Sequence, residues 1–63
     1  MYLPGMRERV LVAGRPGVFL VVWIDRERQN VDLIALHDAT GVEASVPFGD
    51  LEPFRDNVPL EST

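Results

Sequence analysis

Seven consecutive residues, Val18-Phe19-Leu20-Val21-Val22-Trp23-Ile24, are apolar and mostly β-branched or aromatic. A half-exposed strand alternates apolar and polar positions, whereas this run has no polar position on either face. At about 3.3 Å per residue it spans ~23 Å, a full strand through the middle of a small domain. A membrane helix needs about 20 apolar residues, so the run is too short and too β-branched to be one. Burying seven such side chains contributes on the order of 10–20 kcal/mol before chain entropy is subtracted. The rest of the chain must arrange itself around this strand.

The chain has 63 residues, enough for one domain and one small core. A domain of this size buries only about 60% of its unfolded surface, so its stability depends on tight packing or on association. It has no cysteine, which excludes a disulfide framework, a thiolate metal site and cysteine catalysis. Lysine is absent too, and Schiff-base chemistry with it. The first residues, Met1-Tyr2-Leu3-Pro4-Gly5, lack the basic and apolar regions of a signal peptide, so a cytoplasmic location is expected.

Charge is unevenly spread. Residues 1–29 sum to +2 and residues 30–63 to −6, giving the net −4. An acidic chain is repelled by nucleic-acid phosphates at long range. The opposed halves suit either pairing between neighbouring strands or head-to-tail self-association.

Turn chemistry divides the sequence. Pro4 and Gly5 make residues 1–6 an arm, and Arg7–Ala13 alternates as a first strand with Val10 and Val12 on one face. Gly14-Arg15-Pro16-Gly17 fits a type II turn, with proline presetting φ and glycine accepting a positive one. The apolar strand follows, then a charged hairpin loop over residues 25–30 with Asn30 as its left-handed residue. Val31–Leu36 is the third strand and His37–Gly41 a tight loop. Val42–Val46 alternates as the fourth strand, with Val42, Ala44 and Val46 opposite Glu43 and Ser45, until Pro47 removes a ladder donor. Residues 47–51 are long enough for one 3₁₀ turn, Glu52-Pro53-Phe54 forms a short last strand, and residues 55–63 read as a flexible tail.

Five short strands with one helical turn before the fifth predict an all-β fold, a single SH3-like (Tudor-like) barrel over residues 7–54. In that order the apolar strand is the long bent one shared by both halves. One row of it, Phe19, Val21 and Trp23, is a candidate for core or for an oligomer interface; the other is Val18, Leu20, Val22 and Ile24. A barrel this small has one core and needs only one row inward. The second row is covered by the arm or a loop, or else is a self-association surface, and a homo-oligomer (dimer or tetramer) is expected.

Candidate chemistry is sparse. His37, beside Asp38 with Ser45 nearby, lacks the separation that lets an acid orient a base toward a nucleophile, and reads as a turn histidine. One histidine and scattered carboxylates do not make a metal site. Gly14-x-x-Gly17 is followed by no helix and so is no phosphate loop. Arg15, Arg26 and Arg28 form a candidate loop surface for phosphate or carboxylate groups, and with Arg7 and Arg9 they supply an alternative of weak nucleic-acid binding. The aromatics Tyr2, Phe19, Trp23, Phe48 and Phe54 do not cluster into a cage.

The segment Val46-Pro47-Phe48-Gly49-Asp50-Leu51-Glu52-Pro53 resembles the closing segment of Tudor-type and other SH3-like barrels. Together with Gly5-Met6-Arg7-Glu8-Arg9-Val10 and Val21-Val22-Trp23, it is similar to the short plasmid-borne type B dihydrofolate reductases. That resemblance, over about residues 5–54, implies a homotetramer whose central pore takes NADPH and dihydrofolate on a Val-Gln-Ile-Tyr segment. Here that segment is Glu43-Ala44-Ser45-Val46, without the glutamine and the tyrosine. The expectation is therefore a non-catalytic, self-associating module with no cofactor, and NADPH enters only under the reductase alternative.

Overall fold

Among the described residues, five strands and one 3₁₀ turn form in the expected order: β1 (Arg9–Val12), β2 (Arg15–Asp25), β3 (Asn30–Ala35), β4 (Asp38–Pro47), the 3₁₀ turn Phe48–Asp50, and β5 (Leu51–Pro53). The computed structural model describes residues 2–55, and over residues 38–40 the backbone alone. All pairings are antiparallel, and the sheet order is β4-β3-β2-β1-β5. The fold is all-β. Among the described residues no helix is long and apolar enough to cross a membrane.

The connection from β4 to β5 dictates the shape of the sheet. These are its two outermost strands, and in a flat sheet they would lie about 19 Å apart. Pro47 also pairs at the Asp25 end of β2, through Asn30, while Leu51 pairs at the Arg15 end, through Val12. Flat, the two ends of β2 would be ~33 Å apart, yet the four chain steps from Pro47 to Leu51 reach at most about 14 Å. Strand β2 must therefore bend back on itself. The 3₁₀ turn touches both of its ends: the Phe48 amide donates to the Gln29 carbonyl (2.9 Å), and the Ala13 amide donates to the Asp50 carbonyl (2.8 Å). No β4–β5 pairing closes the sheet among the described residues.

Between the two halves lies a core of Val10, Val12, Phe19, Val21, Val31, Leu33, Phe48 and Leu51, with no buried polar residue among those described. Tyr2 packs against it and Pro4 is buried, so the segment before β1 is applied to the core. Arg7 and Glu8 continue the pairing: the Arg7 amide donates to the Val21 carbonyl (2.8 Å) and the Val21 amide to the Glu8 carbonyl (2.9 Å).

Several local expectations are corrected. The first reversal is at Ala13-Gly14, with Gly14 at φ 76°, so Arg15-Pro16-Gly17 belongs to β2 instead of forming the turn. The left-handed residue of the second hairpin is Gln29 (φ 57°) and not Asn30, which pairs with Asp25. The third hairpin turns in two residues, Leu36-His37, so β4 already begins at Asp38 where a loop to Gly41 was expected. Of the tail expected over residues 55–63, only the exposed Arg55 lies within the described residues.

Two bulges decide which side chains face the core. On β2, Val21 pairs with Leu33 but Trp23 with Asp32, so two residues advance against one. An inserted residue moves every later side chain to the opposite face. Phe19 and Val21 point inward, and beyond the bulge Ile24, paired with Val31, packs against the core. Trp23 turns outward and is 61% exposed. The row Phe19-Val21-Trp23 expected from strict alternation is thus broken at its last member. On β4 the shift lies between the pairs Val31–Val46 and Leu33–Glu43, where Ser45 has φ 58° and its amide donates to Asp32 Oδ1 (3.1 Å). Val46 consequently meets the core while Val42 is exposed, although alternation had put them on one face.

Candidate functional site

Cross-strand pairing assembles an apolar outer face. Leu20 pairs with Ile34, and Ile34 with Val42; directly opposed residues share a face. Val18 lies nearby because the Leu36 amide donates to its carbonyl (2.9 Å). Val42 is 59% and Leu36 49% exposed, and Trp23 extends the same side toward the second hairpin. Arg9 pairs with Leu20 at the β1 border, its guanidinium 5.4 Å from the Phe54 ring centre. An open depression of about 430 Å³ lies among Arg9, Gly17, Val18, Leu36, His37 and Phe54.

Next to this face, at the Arg15 end of β2, is a second cleft of about 340 Å³ over Phe19. Arg15 lies with its guanidinium 5.6 Å from the Phe19 ring centre. Both of its terminal nitrogens engage Glu43: Nη1 reaches Oε1 at 3.2 Å and Nη2 reaches Oε2 at 3.1 Å. This two-point contact holds the Glu43 carboxyl below its usual range and raises the Arg15 guanidinium. His37 forms the remaining wall, edge-on to Phe19 with ring centres 6.1 Å apart.

The imidazole can sit there because Gly17 has no side chain. At Gly17 φ is +95°, and a Cβ would lie 2.5 Å from both Cε1 and Nδ1 of His37. His37 therefore borders both depressions, its ring packed on the β2 backbone. It is the exposed turn histidine that the local sequence suggests, with its ring laid beside Gly17 and Phe19.

The expected site residues separate. Phe19 and Val21 are core, at 1% and 0% exposure, and only Trp23 of that row is on the surface. Arg15 stands at the start of β2, and Arg26 and Arg28 lie in the loop that follows it. The second loop is organised by Asp25, whose Oδ1 accepts the Arg28 amide at 3.1 Å. Sequence reasoning missed Ile34, Val42 and Leu36 as companions of Leu20, and His37 and Glu43 as companions of Arg15. Both sets come together only through strand register.

Chemically, the cleft offers a paired guanidinium and carboxylate and one imidazole over an aromatic floor. No described residue lining it carries a hydroxyl or thiol. Among the described residues no group of three or more histidine or acidic side chains is placed to hold a metal ion. Comparison with protein-family models, with curated proteins and with solved structures finds no match to this chain.

Proposed function

We propose that this chain is a non-catalytic interaction module, a small SH3-like barrel that associates with further copies of itself through the outer face of β2, β3 and β4. The observation that carries the proposal is the apolar row Leu20-Ile34-Val42, extended by Val18, Leu36 and an exposed Trp23. Surface apolar residues scattered singly need no explanation, but a contiguous patch centred on a sheet marks an interaction site. Tryptophan is also the residue type most enriched among interface hot spots.

A second copy is the occupant this chain most needs. Its described core contains eight buried side chains, little for a domain that must fold alone. Covering the outer face with the same face of another copy doubles the use of β2, whose apolar run has residues to spare on both sides. The barrel assignment draws on the strand order, the sharp bend of β2 and the 3₁₀ turn before β5. The NADPH-dependent reductase is the weaker alternative. Glu43, at the position where those enzymes hold their ligands, is here engaged by Arg15, and the same segment carries the Ser45 bulge.

Size-exclusion chromatography with light scattering, on the full chain at high micromolar concentration, tests the proposal. A mass at twice or four times 7.1 kDa is expected, and Val42→Glu should return the chain to a folded monomer. A wild-type mass of 7.1 kDa at that concentration overturns it. Oxidation of NADPH with dihydrofolate by the confirmed oligomer would replace it with the reductase.

A further inference from the structure

We propose that the outer faces of two copies interlock, Trp23 of each copy seating in the apolar depression beside Gly17 and Val18 of the other. The inference rests on the self-association reading and names the contact that carries it. The face bears a large protruding side chain and a hollow: Trp23 is 61% exposed, and the depression of about 430 Å³ is walled by Val18, Leu36 and Phe54. That volume lies in the ~300–1,000 Å³ range of sites that hold ring-bearing small molecules.

Strand register sets the two at matching distances from the centre of the face. The row Leu20-Ile34-Val42 runs straight across β2, β3 and β4. Trp23 lies three residues beyond this row on β2, one of them taken up by the bulge, and Val18 and Gly17 lie two and three residues before it. A twofold axis along the row stacks each row on its counterpart and reverses the strand direction. A residue on one side of the axis then meets, in the other copy, a residue equally far on the opposite side. Trp23 faces Gly17 and Val18, and the same operation delivers the second Trp23 to the other depression. Because β2 bends, two outer faces touching at Leu20 part toward their ends, and a protruding indole is large enough to close that gap. The wall it meets suits it: Phe54 offers an aromatic ring, and the Arg9 guanidinium, 5.4 Å from the Phe54 ring centre, stands beside it as a cation. A tryptophan buried in a partner's pocket is a typical interface hot spot.

Sedimentation velocity on the full chain and on two variants gives the first test. Trp23→Ala should raise the dissociation constant at least about thirtyfold, and Trp23→Phe, which keeps a ring, should raise it less. Far-UV circular dichroism confirms that each variant is folded. The second test needs no substitution. In a mixed oligomer of differently isotope-labelled copies, nuclear magnetic resonance should show contacts between the Trp23 indole of one copy and the Val18 and Leu36 methyl groups of the other. A folded Trp23→Ala chain that associates as tightly as the unmodified one overturns the interlock and leaves the outer-face association standing. An oligomer in which the indole meets other groups of the second copy does the same. So do contacts to Val18 and Leu36 from the chain's own residues 56–63, which would give the depression a different occupant. A monomer at high micromolar concentration overturns the interlock together with the self-association on which it rests.

Discussion

At the scale of single residues, the least room for a side chain at any glycine is at Gly17, beside His37. A Cβ at Gly17 would have to share space with the imidazole and hold a φ of +95°. Gly17→Ala should therefore destabilise the fold by about 1–2 kcal/mol from the backbone alone, and further from the collision. Urea denaturation separates the two contributions: adding His37→Ala should restore the collision part and leave the backbone part. Tyr2, the only tyrosine, makes a second residue-scale case. Burial and a hydrogen bond donated to Glu8 push its phenol up from 10.0 to about 12. The folded value lies above the unfolded one, so this contribution is complete below pH 10 and disappears as pH rises toward about 12. Ultraviolet titration of the phenol should show a midpoint near 12 in the folded chain and near 10 in denaturant. Glu8 has the opposite sign. The bonds from Tyr2 and from the Gly5 amide hold its carboxyl below 4.5, so its contribution is present above that pH and is lost as pH falls through the lower folded value.

At the scale of elements, strand β2 separates side chains that look equivalent in sequence. Phe19→Ala should cost about 3–5 kcal/mol, because Phe19 is 1% exposed at the centre of the core. Trp23→Ala, four residues along the same apolar run, should leave monomer stability within about 1 kcal/mol, as befits a side chain 61% exposed. Denaturant unfolding of the two variants under monomeric conditions decides between this arrangement and a Trp23 buried in the core. The existence of β2 was legible because a run without polar positions is a buried strand. Its bulge was not, since an inserted residue shows in a sequence only by shifting an apolar–polar alternation, and here nothing alternates. Strand β4 is the converse. Its alternation was visible, but the Ser45 bulge inverts it, with Asp32 accepting the displaced amide. Asp32→Ala should cost about 0.5–1.5 kcal/mol, the net worth of one hydrogen bond, because water reaches the exposed amide once the carboxylate is gone. No local pattern joins Arg15 to Glu43 or to His37, because their meeting depends on register across three strands.

At the scale of the whole molecule, the short link between β4 and β5 turns a five-stranded sheet into a bent one with an inside and an outside. The inside takes Phe19, Val21 and Ile24 of the apolar run; the outside keeps Val18, Leu20 and Trp23, with Ile34 and Val42 on the neighbouring strands. A chain that needed only one covered face would gain from polar residues at those outer positions, because solubility and negative design both favour them. Retaining apolar residues there is consistent with a face that is covered in the working state. Trp23 makes the state of that face measurable, since it is the sole tryptophan and lies on the outside in the isolated chain. Dilution from high to low micromolar concentration should shift its fluorescence to the red as copies separate, with the far-UV circular dichroism unchanged. Val42→Glu should show the red-shifted spectrum at every concentration. A spectrum independent of concentration in the wild-type chain, and identical to that of Val42→Glu, would mean that Trp23 faces solvent in all states and that the outer face has no second copy upon it.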